Sequence, residues 1–248
     1  MQENNYKRNN TLVSCFVVNV NSHHSLEEYL TNGKLLLQAN VPKIIFIDET
    51  IFHEFEEYNN EATKIISFDK SKWYFNEYRD CIQDFEINTT NKNKDTLEYM
   101  FTICNKTEMI KKAIEYNDFH TDHFIWVDFG IRHVFTKETN EDFIQKIERL
   151  NEPIYDNVRA GSIWDLHLHY QFNVFKDVSW YFAGGVVGGP KDSLLLFAEK
   201  TKEMCIRVMK EKQNLMWEVN IWYLVYLENP SLIHGYKCDH NPTLVEHY

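Results

Sequence analysis

Asp128 is the first residue that we expect to do chemistry, because it directly follows a buried apolar run, residues 123–127. In open α/β sheets, ligands bind beyond the carboxyl ends of the strands, so a carboxylate at that position can bind a metal ion or a hydroxyl group. The structural alternative is that Asp128 caps the following turn and that Gly130 supplies a positive φ. Spacing alone leaves both interpretations open.

A glycine-rich segment, residues 183–189, is the second candidate and holds four of the eight glycines of the chain. Glycines such as Gly184 and Gly185 allow a ligand to approach the backbone closely, because they carry no Cβ. The pattern matches neither the dinucleotide-binding fingerprint nor the P-loop, which disfavours a dinucleotide fold. A strand with a bulge packed under a helix is the structural alternative.

Trp217-Glu218-Val219-Asn220-Ile221-Trp222 forms a third candidate on a predicted helix. Aromatic faces can stack on a sugar ring while Glu218 and Asn220 bond its hydroxyl groups. The structural alternative places the tryptophans in the core and Glu218 in solvent. His240, near the end of the chain, matters chemically only if the fold returns it to Asp128.

His167 and His169 alternate in sequence, as two zinc ligands on one strand do. In amidohydrolase-like enzymes such a pair opens the first strand of a barrel, whereas here it lies late in a chain that is short for that barrel. We therefore favour a structural or acceptor-facing role over zinc.

The five cysteines are scattered and lack CxxC spacing, which indicates reduced thiols and a cytoplasmic protein.

The composition limits the classes of partner. The chain has 248 residues, a formal net charge of -11 and 44% hydrophobic residues, which is ordinary for a globular protein. Its acidity argues against a nucleic-acid-binding surface and against docking on an anionic membrane. No apolar run approaches the roughly 18 residues of a membrane span. An anionic ligand would need local lysines, arginines or a metal ion.

The predicted elements alternate between strands and helices, which indicates βαβ units and a mostly parallel sheet. Residues 1–10 are expected to form a flexible tail and residues 11–248 a single domain. Ser25 and Glu28 resemble a capping box. The predicted strands are 11–20, 42–48, 63–68, 123–128, 179–189 and 233–238, and the predicted helices are 26–37, 97–116, 136–150, 194–212 and 217–227.

Several of these segments, in this order, resemble the HtrL/YibB family, whose members are proposed glycosyltransferases of bacterial surface-polysaccharide loci and large DNA viruses. The resemblance runs from about Thr11 to the C-terminus. Its carriers are the opening strand 11–16, segments 105–114 and 123–131, the glycines after Phe182, the sequence 217–220 and the closing residues 236–241. A viral member would act in the host-cell cytoplasm.

This resemblance implies a GT-A fold, a Rossmann-like mixed and mostly parallel sheet flanked by helices. Such a fold binds a nucleoside-diphosphate sugar with Mn²⁺ or Mg²⁺, and UDP is the nucleotide that the resemblance leads us to expect. Asp128 matches the first aspartate of the Asp-x-Asp motif of that fold, whereas Gly130 stands in the place of the second. By analogy with glycogenin-like transferases, His240 is the expected second metal ligand, with phosphate and water oxygens completing the shell.

The resemblance also implies roles for other residues. Similarity to blood-group-type transferases makes Glu218 the candidate nucleophile, oxocarbenium stabiliser or base. Gly184 and Gly185 are expected to line the meeting point of donor and acceptor, and Trp217, with His167 and His169, to contact a glycan or other hydroxyl acceptor. The further donor-binding candidates are Lys106 at a helix start and Arg132 for the diphosphate, and Val17, Val18 and Asn19 for uracil and ribose.

Two alternatives stay open at this point. The first is a protein of the same fold that binds a nucleotide or glycan without catalysis, since the second aspartate is missing at Gly130. The second is a metal hydrolase built around His167 and His169. The sequence does not indicate the oligomeric state.

Overall fold

A computed structural model describes residues 9–18, 20 and 25–248 of the chain. Its described part contains one sheet of seven strands, and helices lie on both faces of it. None of the described helices combines the length and the apolar character that a membrane crossing requires. The strands are β1 (Asn10–Phe16), β2 (Lys43–Asp48), β3 (Thr63–Phe68), β4 (His123–Val127), β5 (Val158–Ser162), β6 (Ala183–Pro190) and β7 (Ile233–Lys237), and the helices are α1 (Leu26–Gln38), α2 (Leu97–Cys104), α3 (Lys106–Tyr116), α4 (Asn140–Arg149), α5 (Lys191–Lys212), α6 (Glu218–Glu228) and α7 (Thr243–Glu246).

The strand order is β3-β2-β1-β4-β6-β5-β7. Strand β1 is parallel to β2 and β4, β2 is parallel to β3, and β5 is parallel to β7, whereas β6 runs antiparallel to both β4 and β5. The predicted mixed, mostly parallel sheet flanked by helices is therefore confirmed.

Both faces of the sheet are buried, which explains why its central strands are continuous apolar runs. Along β2, Ile44 and Phe46 belong to one core cluster, and Ile45 and Ile47 belong to the cluster on the other face. Each of these four side chains is almost completely inaccessible. Alternation between the two cores fixes the register of the strand, because a shift by one residue would exchange the faces.

The winding of the sheet reverses between β1 and β4. From β1 the chain moves outward to β2 and β3, and it then returns to place β4 on the other side of β1. Where the connections after two adjacent parallel strands turn to opposite sides, a crevice opens beyond the carboxyl ends of these strands. Val17 and Asp128 follow β1 and β4 directly, and the antiparallel β6 begins at the same edge.

Several element boundaries differ from the sequence prediction. Asn10 belongs to β1 and not to a tail: it pairs with His123 of β4, and its Nδ2 donates to the carbonyls of Leu150 and Pro153, each at 2.7 Å. Residues 1–8 of the predicted tail lie outside the described part. The first strand ends at Phe16 and not at Val20. Strand β5 is absent from the prediction, since its sequence, VRAGS, lacks a run of large apolar residues.

Lys43, at the start of β2, is a buried lysine and allows a prediction about stability. Its Nζ donates to the carbonyl of Ala39 and to Thr63 Oγ1. Burial lowers its pKa from 10.5 to about 8, against an opposing attraction from Glu148. A base with a lower pKa in the folded state destabilises the fold while it is protonated. The free energy of unfolding therefore rises with pH between these two pKa values.

We expect Lys43→Met to remove this pH dependence, because methionine fills the same space without a charge. At about pH 7 the variant should be more stable than the native chain by on the order of 1–3 kcal/mol. The advantage should shrink as the pH rises to about 10. Urea unfolding of both chains across this range measures the difference, and an advantage that stays constant with pH would contradict the assignment.

Candidate functional site

A cleft of about 710 Å³ lies at the edge of the sheet where β1 and β4 end and β6 begins. Its size suits a ligand as large as a nucleotide sugar. Aromatic, aliphatic and polar side chains line it together. Of the residues predicted for the site, those that line the cleft are Val17, Val18, Lys106, Asp128, Gly184, Gly185, Trp217, Glu218 and His240.

Lys106 binds the two acidic residues of the cleft at the same time. Its Nζ lies 2.8 Å from Asp128 Oδ1 and 2.7 Å from Glu218 Oε1, and it donates to the carbonyl of Gly184 at 2.9 Å. An ammonium group has three N–H donors, so these three acceptors use all of them. The oxygens of Asp128 and Glu218 consequently lie within two hydrogen-bond lengths of each other.

The break between two helices places Lys106 at this point. Asn105 ends α2 and precedes α3, with its Nδ2 donating to the carbonyl of Phe101 at 2.7 Å. Burial by itself lowers the pKa of Lys106, but the charges of Asp128 and Glu218 outweigh that effect and raise the pKa above its ordinary value. Lys106 therefore stays protonated although only 7% of its side chain is exposed.

Asp128 and Glu218 differ in how they face the cleft. Trp126 Nε1 donates to Asp128 Oδ1 at 2.7 Å, so this oxygen binds both the indole and Lys106. The Asp128 side chain is 35% exposed, whereas that of Glu218 is 7% exposed. Asp128 is thus the carboxylate that a ligand in the cleft can reach more easily, and Glu218 lies deeper.

The glycines of β6 leave the space that the acidic side chains occupy. A Cβ on Gly184 would lie 2.1 Å from Glu218 Oε1 and 3.2 Å from Lys106 Nζ. A Cβ on Gly185 would lie 3.9 Å from Asp128 Oδ2, and the Gly185 carbonyl accepts a hydrogen bond from the backbone N–H of Asp128 at 3.0 Å. Gly184 is therefore needed for the approach of Glu218, a reason that sequence pattern alone did not provide.

The residues predicted to hold uracil and ribose lie at the β1 end of the cleft. Val17 and Val18 both line it, and Val18 is fixed by a hydrogen bond from its N–H to Asp48 Oδ2 at 3.2 Å. Lys70 Nζ donates to the Val18 carbonyl at 3.1 Å. Asn19 lies outside the described residues.

Two predicted diphosphate ligands have other roles in the structure. Lys106 has no N–H left for a phosphate, because its donors bind Asp128, Glu218 and the Gly184 carbonyl. Arg132 does not line the cleft; its guanidinium binds Asn140 Oδ1 and the carbonyls of Phe135 and Glu138. A guanidinium group has five N–H donors, and here they stabilise the turn formed by residues 135–140.

The predicted acceptor residues are only partly brought together. Trp217 lines the cleft, with its Nε1 donating to Asp95 Oδ1 at 3.2 Å. His167 and His169 do not line it and lie exposed in the irregular segment after β5. The pair is not on a strand, so alternation does not point both rings the same way, and the zinc prediction loses its geometric basis.

His240 lies in the cleft wall and meets Trp180 edge to face, with ring centroids 4.4 Å apart. Burial lowers the pKa of His240, and the positive charges of Lys94 and His133 act in the same direction, while Asp239 opposes them. Among the described residues, no group of three or more His, Cys, Asp or Glu side chains could hold a metal ion. The described part of the chain therefore offers at most two such ligands at one point of this cleft.

Several residues of the cleft are absent from the sequence prediction, among them Trp126, Tyr99 and Trp180. Trp126 was detectable, because residues two apart on a strand share a face and Trp126 precedes Asp128 by two. Trp180 has no such signal. Of the two interpretations left open for this turn, the one in which Gly130 supplies a positive φ does not hold, since the φ of Gly130 is -91°.

The fold and the cleft define an α/β protein whose main described cleft lies where the winding of a mostly parallel sheet reverses. The sequence profile of the HtrL/YibB family, described as a bacterial protein of unknown function, matches residues 6–241. The chain therefore belongs to the HtrL/YibB family.

Comparison with solved structures finds similar chains at low sequence identity. One is 4-diphosphocytidyl-2C-methyl-D-erythritol synthase from Anaerococcus prevotii, with 6% identity and a TM-score of 0.43 over 94% of this chain and 88% of that chain. Another is mouse xyloside xylosyltransferase 1 in its apo form, with 10% identity and a TM-score of 0.42 over 93% and 85% of the two chains. No curated protein sequence matches significantly.

Replacing Gly184 by alanine should displace Glu218 from Lys106, because the new Cβ would overlap the carboxylate. We expect a loss of about 1–3 kcal/mol in the free energy of unfolding. Gly130→Ala is the matched control: its Cβ would lie 3.4 Å from the Tyr29 ring, an ordinary contact, and its φ suits alanine. Urea unfolding compares the two, and equal effects would contradict the steric argument.

Replacing Lys106 by methionine leaves two neighbouring carboxylates without their shared counterion. Breaking a buried pair in this way typically costs about 3–5 kcal/mol. Part of the loss should return when Glu218→Gln is added, because one negative charge is then gone. Lys111→Met, on the same helix and outside the cleft, should change stability by less than about 0.5 kcal/mol. A double variant no more stable than Lys106→Met would count against electrostatic coupling.

Proposed function

We propose that this protein transfers a glycosyl group from a nucleoside-diphosphate sugar, most suitably a UDP-sugar, to a hydroxyl group of an acceptor. The observation that carries the proposal is the pair of carboxylates, Asp128 and Glu218, which Lys106 joins at the switch point of the sheet. A reactive acidic pair at that place suits a ligand whose phosphates and sugar lie at the ends of the strands.

The shape of the cleft supports a nucleotide at one end of it. Val17 and Val18 offer an apolar surface beside the aromatic pair Phe16 and Tyr29, whose ring centroids lie 5.6 Å apart. A base bound there would direct its diphosphate towards Asp128, which follows the neighbouring strand.

The diphosphate needs positive charge that Lys106 does not supply, because Asp128 and Glu218 already leave that cluster with a net charge of about -1. Asp128 and His240 line the same cleft and are the residues that would hold Mn²⁺ or Mg²⁺, with water and phosphate oxygens as the remaining ligands. Asp128 fits this role because its carboxylate is partly exposed to the cleft and carries negative charge. When bound, the ion would supply charge that stabilises the leaving diphosphate.

In the proposed reaction the bond between the anomeric carbon and the diphosphate oxygen breaks, and a bond from the acceptor oxygen to that carbon forms. The acceptor proton passes to a base. Glu218 is the candidate to face the anomeric carbon, because it lies beside Asp128 and keeps its position through Lys106 and Gly184. Its carboxylate would act as nucleophile, as stabiliser of positive charge, or as the base if the configuration inverts.

One observation favours a second candidate, a nucleotide- or glycan-binding protein without catalysis. Gly130 stands where a second aspartate would be expected, so the site has one acidic residue fewer than an Asp-x-Asp site. The two candidates differ in turnover, since only the enzyme releases UDP from a UDP-sugar.

Incubation with a panel of UDP-sugars and Mn²⁺, with UDP release as the readout, tests the proposal. We expect Asp128→Asn to lower turnover by about a hundredfold or more, because it removes charge at the reacting groups. Asp122→Asn, which removes an exposed ion pair with Lys191 outside the cleft, serves as the matched control and should keep full activity.

Two outcomes would contradict the proposal. If neither UDP nor any UDP-sugar shifts the unfolding temperature, with or without Mn²⁺, the cleft is not a nucleotide site. If UDP binds but no sugar is released, and Asp128→Asn changes only the affinity, the chain is a non-catalytic binding protein.

A further inference from the structure

We propose that the cleft wall formed by Trp180 and residues 88–91 is the subsite for the acceptor, and that it takes a neutral glycan. This inference rests on the proposed glycosyl transfer and names the class of the second substrate. The acceptor wall consists of Trp180 with Asn88, Thr89, Thr90 and Asn91, all of which line the cleft.

Trp180 gives the acceptor wall an aromatic surface near the candidate catalytic residues. It lies just before β6, whose second residue, Gly184, would meet Glu218 if it carried a Cβ. The indole is half-buried and its position is fixed against His240, with an angle of 84° between the ring planes. A rigid, amphipathic aromatic ring offers a large contact area at low cost in conformational entropy, and its face suits the C–H face of a sugar.

The other side of the acceptor wall consists of uncharged polar side chains. Asn88 and Thr90 are exposed, and Thr89 and Asn91 are half-buried. Asn88 Nδ2 and the Thr89 hydroxyl bind within the protein, while the Asn88 Oδ1 and the Thr90 hydroxyl, on exposed residues, are the groups that can bond sugar hydroxyls.

Hydrogen bonds hold both sides of the acceptor wall in place. Asn88 Nδ2 donates to Asp177 Oδ1 at 2.6 Å, and this joins the two segments. Asn220, completely buried on α6, accepts from the N–H of Ser179 at 2.8 Å and donates to the Asp177 carbonyl at 2.7 Å. The anchor therefore comes from the helix that begins with Glu218, and the subsite is prearranged beside it.

A second connection runs from residues 88–91 to the start of α6. Thr89 Oγ1 donates to Asp95 Oδ2, and Asp95 Oδ1 accepts from Trp217 Nε1 at 3.2 Å. The carboxylate of Asp95 is thus used inside the protein. Lys94 and Asp95 both line the cleft and carry opposite charges, so together they add no net charge beside the acceptor wall; the Lys94 Nζ lies 5.5 Å from the centre of the Tyr99 ring. Residues 88–91 themselves carry no charge, so the acceptor wall suits a neutral sugar better than an acidic one.

The experiment measures binding of three neutral disaccharides, lactose, cellobiose and chitobiose, in the presence of UDP and Mn²⁺. Saturation-transfer difference NMR detects the sugar, and calorimetry measures UDP affinity on the same samples. We expect the native chain to bind at least one disaccharide. Trp180→Ala should weaken that binding at least tenfold and change UDP affinity far less, and Trp180→Phe should restore most of the disaccharide binding.

Tyr170→Ala is the matched control, because Tyr170 is an exposed aromatic residue on the same connecting segment but does not line the cleft. It should leave disaccharide binding unchanged. If Trp180→Ala does not fold, Thr90→Arg replaces it as the test, since a large charged side chain at this exposed position should block the sugar without touching the core.

The outcomes separate this inference from the proposed function. UDP binding and sugar release with no disaccharide bound, or with binding that neither Trp180→Ala nor Thr90→Arg weakens, would overturn the acceptor wall and leave glycosyl transfer intact. A chain that binds neither UDP nor UDP-sugars would instead overturn the proposed function on which the inference rests.

Discussion

The ion-pair cluster of Lys106 with Asp128 and Glu218 is the constraint on which the arrangement of the cleft depends. A buried ammonium group needs nearby negative charge, and two neighbouring carboxylates, one of them buried, need a shared positive charge. Each charge is tolerated here because the others are present. The consequence is that three side chains from α3, α6 and the end of β4 occupy one fixed geometry.

The backbone around this cluster is shaped to allow it. Gly184 leaves room for Glu218 and contributes its carbonyl to Lys106. The antiparallel direction of β6 brings its first residues to the same edge at which β1 and β4 end. The cluster therefore lies at the opening of the crevice, where a ligand can reach Asp128. Inside the core, Asp128 would be inaccessible.

Local sequence pattern predicted the elements that carry strong periodicity or long apolar runs. Strands β2 and β4 and the position of Asp128 at a strand end were foreseeable, because continuous apolar runs indicate strands buried on both faces. Strand β5 was not, since VRAGS is stabilised by its neighbours β6 and β7 and not by its own composition. Whether such a segment forms a strand depends on its pairing with neighbouring strands in the folded protein.

The candidate site could be predicted as a set of residues but not as a set of contacts. Asp128, Glu218 and Lys106 are each recognisable in the sequence, yet their ion pairing depends on a long-range arrangement that no local pattern encodes. Because these contacts are not visible in the sequence, Lys106 was predicted to bind phosphate and Arg132 to lie in the cleft. In the structure, hydrogen bonds to the carbonyls of Phe135 and Glu138 hold Arg132 outside the cleft. The connecting segment with Trp180 lacks regular periodicity, so its place in the cleft required the structure.

A crystal structure of the chain with UDP and Mn²⁺ examines the whole arrangement at once. We expect uracil beside Val17 and Val18, the diphosphate beside Asp128, and Lys106 still bound to both carboxylates. A diphosphate bound outside the cleft would refute this arrangement. So would one bound directly by Lys106 after that side chain has left Asp128 and Glu218.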